Sequence, residues 1–212
     1  WRDFWLNEGF TVYLERRILE EVFGRPRADM EAMLDRQALA DELARLDPQD
    51  QILHIDLSGR DPDDGMNQVP LKGDLFLRLL EEHVGRARFD TFLRAYFDHF
   101  AFRSITTDDF VAYLNAQLLS HDADLFETLR IDAWLEQPGL PANAPRAESE
   151  ALTRVERQAV RWADGKTTAA ALASDNWTTQ EWLHFLKSVP ETLTRRQMTD
   201  LDDTFGFTEA GN

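Results

Sequence analysis

The chain has 212 residues, of which 39 are acidic and 23 basic, giving a formal net charge of −16 at pH 7. This excess of carboxylates argues against nucleic-acid partners and anionic membranes, because phosphates are bound by clustered Lys and Arg. Hydrophobic residues make up 43% of the sequence, enough for a buried core. The absence of cysteine excludes disulfides, thiolate nucleophiles and Cys-type zinc sites. No apolar run reaches the roughly 18 residues of a membrane span, and the compartment stays open.

The first helix is predicted to run from Glu8 to Phe23, directly after a stretch rich in aromatic residues. That stretch reads Trp1-Arg2-Asp3-Phe4-Trp5-Leu6-Asn7-Glu8-Gly9-Phe10. Free N–H groups and the helix dipole favour an acid at a helix start, so Glu8 is interpreted as a helix-start acid or a salt-bridge partner. Gly24 is placed to end the helix. The predicted buried stripe consists of Val12, Leu14, Ile18, Leu19, Val22 and Phe23.

Hydrophobic periodicity predicts four further helices in the first two thirds of the chain. They cover residues 28–46, 72–84, 88–100 and 108–119. The last of these begins close to a capping box formed by Thr106 and Asp109. Residues 47–70 break the helical pattern with many Asp, Pro and Gly, and such a long loop is either functional or a solvated connector.

A turn-rich connector separates these helices from the rest of the chain, and it consists of Pro138-Gly139-Leu140-Pro141 and Pro145. Beyond it, further helices are predicted over 148–163, 178–188 and 192–204. Thr178 and Pro190 are the predicted start signals of the last two. The sequence therefore predicts an all-α chain, with one domain over residues 1–146 and a second over residues 147–212.

Four separated motifs carry information beyond secondary structure. They are Trp5-Leu6-Asn7-Glu8-Gly9, Asp61-Pro62-Asp63, Ser104-Ile105-Thr106-Thr107-Asp108-Asp109 and Trp134-Leu135-Glu136-Gln137-Pro138-Gly139-Leu140-Pro141. Together they resemble the zinc aminopeptidases of the gluzincin class, in the branch of leukotriene A-4 hydrolase and aminopeptidase B. The resemblance implies that residues 1–146 are the helical half of a thermolysin-like catalytic domain. It implies that residues 147–212 are the start of an α-helical superhelix domain.

The resemblance also implies a site. In this family the Glu of Asn-Glu-Gly is the third zinc ligand, so Glu8 is implied to be a metal ligand. The other two ligands are histidines of a His-Glu-x-x-His helix, which the family places ahead of the position of Trp1. Asp63 matches the family's Asp that helps to receive the N-terminal side of a peptide substrate. The implied cofactor is zinc, and the implied substrates are peptides.

The chain departs from the family pattern at one catalytic position. The family reads Val-Pro-Tyr-Glu-Lys-Gly where this chain reads Val69-Pro70-Leu71-Lys72-Gly73. The family's Tyr donates a hydrogen bond to the reaction's oxyanion, whereas Leu71 has no donor. No catalytic residue is therefore assigned, and Lys72 is interpreted as a helix-start lysine. The five histidines lack His-x-x-x-His spacing, so each is interpreted as a surface or satisfied histidine.

Two functions from different classes follow. The chain is either the C-terminal portion of a zinc aminopeptidase, without its His-Glu-x-x-His helix, or a non-catalytic helical interaction module derived from this family. The intact Asn-Glu-Gly favours the enzyme, and the missing Tyr favours the interaction module. Because the chain supplies one zinc ligand of three, the 212 residues alone are expected to bind zinc poorly and to cleave nothing.

Overall fold

A computed structural model describes residues 3–61, 69–119 and 123–209, and over these ranges the chain forms α-helices and no strand. The prediction of an all-α chain is thereby confirmed. No helix in the described ranges is long and apolar enough to cross a membrane. The helices are α1 (Trp5–Phe23), α2 (Arg25–Leu43), α3 (Val69–Val84), α4 (Arg86–His99), α5 (Thr107–Leu114), α6 (Ala123–Leu129), α7 (Ile131–Glu136), α8 (Glu150–Ala163), α9 (Thr179–Ser188) and α10 (Arg195–Phe205).

The chain divides into two compact units. The first comprises Trp1–Ala28 and Asp35–Arg146, and the second comprises Asp29–Leu34 and Ala147–Asn212. One stretch of α2 therefore belongs to the second unit, although the rest of that helix belongs to the first. That the two parts are a portion of a catalytic domain and the start of a superhelix stays a prediction.

An aromatic core holds the first unit together. Trp5 meets Phe110 edge-on with ring centroids 5.5 Å apart, and Phe10 stacks on Tyr96 at 5.2 Å. Trp5 also lies 5.9 Å from Phe76 of α3. Since each aromatic side chain buries a large apolar area, these contacts fix the beginning of α1 against α3, α4 and α5.

The predicted buried stripe of α1 is wrong. Ile18 and Val22 are each 63% exposed, and Phe23 is 67% exposed. The helix begins at Trp5, earlier than predicted, and it buries the opposite face, which consists of Trp5, Leu6, Gly9, Phe10 and Tyr13. Both faces of this helix are apolar, and the face with the larger rings removes more apolar surface from water when it is buried.

For the next helices, hydrophobic periodicity predicted the buried residues better than it did for α1. The stripe predicted for α3 is confirmed, because Leu75, Phe76, Leu79 and Leu80 are all buried. In α2, by contrast, Met30 and Leu39 are buried whereas Ala38 is exposed. The helix predicted to end at residue 119 is α-helical only to Leu114 and continues as a π-helical turn, Asn115–Leu119. The two short helices α6 and α7 were not predicted.

Most of the predicted helix-end signals lie at helix ends in the structure. Gly24 ends α1 with φ 84°, a conformation that suits glycine, and Thr106 forms the predicted capping box with Asp109. Thr178 forms a second capping box at the start of α9. The start signal at Pro190 is wrong, because α10 begins after its N-cap residue Thr194.

Candidate active site

Glu8 lies in the first turn of α1, as the sequence predicted, and its side chain is half-buried. The amide Nδ2 of Asn7 donates a hydrogen bond to Oε1 of Glu8 across 2.6 Å. No cationic side chain in the described part of the chain forms an ion pair with Glu8, so the interpretation as a salt-bridge partner finds no support there. Glu8 therefore presents a carboxylate that is oriented by its neighbour and is not neutralised by an Arg or Lys among the described residues.

The chain just before Glu8 is tied firmly to α5. The indole Nε1 of the buried Trp5 donates to Oγ1 of Thr107 across 3.0 Å. The backbone N–H of Thr107 donates to Oδ1 of Asp3 across 2.8 Å. The hydrogen bond between the buried Trp5 and Thr107 costs free energy when it is broken, because both partners then lie unpaired away from water. The backbone that carries Glu8 is thus held in one place.

A second set of contacts holds the later part of α1. The hydroxyl of Tyr13 donates to Oε2 of Glu81 across 2.6 Å, and Arg17 donates to the Tyr13 hydroxyl across 2.7 Å. Arg17 also donates to Asp90 of α4 across 2.9 Å. Burial together with the Glu81 carboxylate raises the pKa of Tyr13 above its ordinary value. The network joins α1 to α3 and α4 through charge-assisted hydrogen bonds.

Lys72 lies at the start of a helix, as interpreted from the sequence, but it is buried. Although it lies in the first turn of α3, it is 1% exposed and does not extend into solvent. Its Nζ donates to the backbone oxygens of Gln51, across 2.9 Å, and of Gln137, across 2.8 Å. Burial lowers its pKa to about 8. Lys72 therefore fastens the segment before α3 to the end of α7.

Asp74 is a buried acid that sequence reasoning missed. It is 4% exposed, and its Oδ1 has no hydrogen-bond partner among the described residues. Burial raises its pKa to about 7, although Arg78 and Arg16 act in the opposite direction. The available signal was a charged residue placed between Gly73 and the apolar run Leu75-Phe76-Leu77.

The other positions singled out from the sequence have different outcomes. Leu71 is half-buried and packs against the main apolar core. Its aliphatic side chain has no hydrogen-bond donor. Asp63 lies outside the described residues. His54 pairs with Glu136 at 2.8 Å, as expected of a satisfied histidine. His184 pairs with Glu156 through Nε2 at 2.8 Å, but its buried Nδ1 has no hydrogen-bond partner among the described residues, so that interpretation holds only in part for His184.

The described residues contain no group of three or more His, Asp or Glu side chains that could hold a metal ion. A single half-buried carboxylate such as Glu8 still suits zinc as one ligand, because carboxylate oxygens are among the ligands that zinc binds. The chemistry of this position is therefore compatible with a shared metal site and insufficient for a complete one.

Comparisons with known proteins agree with one another. The family model described as the peptidase family M1 domain matches residues 1–134. Leucine aminopeptidase 2 of Yarrowia lipolytica is 36% identical over 188 residues, which cover 82% of this chain and 29% of that protein. A leukotriene A-4 hydrolase homolog of Botryotinia fuckeliana is 34% identical over 194 residues, which cover 89% of this chain and 30% of that protein.

A solved structure extends the similarity to the whole fold. Yeast leukotriene A4 hydrolase in complex with bestatin matches with a TM-score of 0.87 and 25% sequence identity. The match covers 100% of this chain and 38% of that chain. The chain thus spans less than a third of the length of the two curated relatives and little more than a third of the solved one.

Proposed function

Since the chain belongs to peptidase family M1, we propose that it forms part of a zinc-dependent aminopeptidase that removes N-terminal residues from peptides. Family membership confirms the resemblance identified from the four sequence motifs. M1 metallopeptidases depend on zinc and act on peptides, and the name of one relative, a leucine aminopeptidase, supports the removal of N-terminal residues.

In this proposal Glu8 is one of three zinc ligands. The observation that carries the assignment is the state of its carboxylate, which is half-buried, oriented by Asn7 and not paired with a cation among the described residues. A structural helix-start acid does not require the rigid attachment seen at Trp5 and Asp3, whereas a metal ligand does. Zinc held there would act as a Lewis acid and lower the pKa of a bound water.

The positions that align with the family's motifs also suggest how the substrate is bound and how fast the enzyme works. Asp63 would receive the N-terminal amine of the peptide, because a carboxylate attracts an ammonium group. Leu71 stands near the position of the family's Tyr and offers no donor to an oxyanion. Loss of one such donor lowers kcat by about 10²–10³-fold, so we expect the enzyme to be slow compared with relatives that carry the Tyr.

The experiment is best done on the product of the complete reading frame. We expect it to contain stoichiometric zinc and to hydrolyse leucine p-nitroanilide. Glu8→Ala should remove both properties, because the site loses a ligand. Glu15→Ala is the matched control, since Glu15 lies on the same helix with an exposed side chain. Zinc content and turnover that survive Glu8→Ala would refute the metal role.

The 212 residues alone provide a separate measurement. Because one carboxylate does not hold catalytic zinc, we expect metal analysis of the purified chain to find no stoichiometric zinc and assays to find no turnover. A stoichiometric zinc ion in this chain that is lost on Glu8→Ala would contradict that expectation.

A non-catalytic interaction module is the second candidate function. The exposed apolar stripe of α1, with Leu14, Ile18 and Val22, favours it, because such patches often mark binding surfaces. Leu71 in place of a Tyr favours it as well. An inactive, zinc-free product of the complete reading frame would support this function over the enzyme.

A further inference from the structure

Two glycines occupy helix interiors where glycine is unfavourable. Gly9 follows Glu8 in α1, and Gly73 follows Lys72 in α3. Glycine inside a helix destabilises by about 1 kcal/mol relative to alanine. Neither glycine has a positive φ, so the backbone conformation does not require it. The reason for both glycines must therefore lie in their surroundings.

The two glycines contact each other. A Cβ atom added to Gly9 would lie 3.0 Å from Cα of Gly73 and 3.2 Å from its carbonyl carbon. A Cβ atom added to Gly73 would lie 3.0 Å from Cα of Gly9 and 3.3 Å from Cε3 of Trp5. Carbon atoms in contact prefer separations of about 3.5–4.0 Å. At this point α1 and α3 thus cross with their backbones in direct contact, and an alanine at either position would require the neighbouring backbone to move by a few tenths of an ångström.

That displacement matters for the residue beside the crossing. Metal–ligand distances are held within about 0.2 Å, so a shift of a few tenths of an ångström is enough to disturb them. We propose that Gly9 and Gly73 are positioning residues, whose backbone contact sets how far the Glu8 carboxylate stands from α3 and thereby sets the zinc affinity of the site. The inference rests on the zinc-ligand role proposed for Glu8.

A contact that only packs the fold would behave differently. Its loss would lower the free energy of unfolding and leave the zinc affinity of the folded protein unchanged. The proposal instead requires zinc affinity to fall, including in Gly73→Ala, which leaves the sequence of α1 intact and reaches Glu8 only through the contacts of position 73 with Gly9 and Trp5. Substitution of an outer residue that orients a metal ligand commonly lowers metal affinity about 10–100-fold.

The test uses the product of the complete reading frame and its variants Gly9→Ala and Gly73→Ala. Zinc dissociation constants come from competition with a chromophoric chelator, melting temperatures from circular dichroism, and kcat and KM from leucine p-nitroanilide. We expect about a tenfold or larger loss of zinc affinity in each variant. The double variant should lose less affinity than the product of the two single losses, because the first Cβ already separates the helices.

Tyr13→Phe is the matched control. It removes the hydrogen bond to Glu81 at the same α1–α3 interface but keeps the volume of the side chain, so the helices stay in place while stability falls. We expect its melting temperature to drop and its zinc affinity to stay within about twofold of the wild type. Zinc affinity that tracks stability equally in all variants would overturn the positioning role.

Glu8→Asp keeps the test decisive if an alanine variant fails to fold. It withdraws the carboxylate by one methylene without touching the crossing, and we expect a comparable loss of zinc affinity. Unchanged affinity in Glu8→Asp would overturn the inference, because displacement of the carboxylate would then have no effect. Wild-type protein without zinc would instead overturn the proposed function, and this inference with it. Wild-type protein with zinc and unaffected glycine variants would overturn this inference alone.

Discussion

Replacing Asp74 by Asn should change how the stability of the first unit depends on pH. Asp74 is buried, and one of its oxygens lacks a partner among the described residues. Its pKa is raised from 3.8 to about 7, chiefly by burial. In the unfolded chain the group releases its proton near pH 4, whereas in the folded chain it keeps the proton until about pH 7. The folded state therefore binds more protons across this window, and stability falls as the pH rises through it.

The size of the effect follows from the shift. Each unit of pKa corresponds to about 1.4 kcal/mol, so the rise from 3.8 to about 7 amounts to a loss of up to about 4 kcal/mol at pH 8 relative to pH 4. The charged neighbours that face Asp74 are included in that shift. Arg78 lies on α3, Arg16 and Glu15 lie on α1, and Asp35 lies on α2. Asn has no charge to bury, so this loss is absent in the variant.

Urea denaturation of wild type and Asp74→Asn, measured from about pH 4 to pH 8.5, gives the difference in unfolding free energy at each pH. If the Asn amide is unpaired in the variant, it lowers the unfolding free energy by the same amount at every pH. Any pH dependence of the difference in unfolding free energy between variant and wild type therefore comes from the titration of Asp74. We expect the variant to gain about 4 kcal/mol relative to the wild type over this range. Glu82→Gln, at an exposed position of the same helix, is the control and should show a nearly constant difference. A constant difference for Asp74→Asn would refute the reasoning, as would a carboxyl carbon of Asp74 that titrates near pH 4 in NMR spectra.

Three further predictions concern stability measured by the same urea denaturation. Because burial lowers the pKa of Lys72 to about 8, the unfolded chain binds more protons above that pH, so stability should rise between about pH 8 and pH 9.5. Lys72→Met should abolish this rise, and a slope that persists would contradict the assignment. Thr178→Ala should cost about 1 kcal/mol, because the capping box of α9 is lost, whereas Thr179→Ala next to it should change stability by less than about 0.5 kcal/mol. Ile18→Glu should likewise cost less than about 0.5 kcal/mol, because the side chain is exposed, and a loss of several kcal/mol would show that this face of α1 is buried in solution.

Predictions from the sequence succeeded where the signal is local. A glycine at a helix end or a Thr with an acid three positions later acts on backbone groups within one turn, so Gly24, Thr106 and Thr178 could be identified without knowing the fold. The start signal at Pro190 failed because Thr194, a little further on, forms the complete capping box with Gln197. The short helices α6 and α7 have too few residues for a periodic pattern to stand out.

In the candidate site, too, the residues found from the sequence are those with a local signal. Glu8 was found because it stands in a motif of neighbouring residues, and the motif persists whatever the rest of the chain does. The burial of Lys72 could not be predicted, because it depends on the backbone oxygens of Gln51 and Gln137, which are distant in sequence. Asp74 was missed although the adjacent apolar run indicated a buried position. Asp63 lies outside the described residues, and its role stays a proposal.

By itself, the sequence determined an all-helical chain, most of its helix ends and the position of a single conspicuous carboxylate, since each depends on residues only a few positions apart. Tertiary structure alone decided which of two apolar faces of α1 is buried, because that choice depends on the rings that α3, α4 and α5 present to it. It also decided that Gly9 meets Gly73, across more than sixty positions of sequence. The physical reason is that close packing is a property of pairs of surfaces, and the pairing of helices is not written in the periodicity of either one.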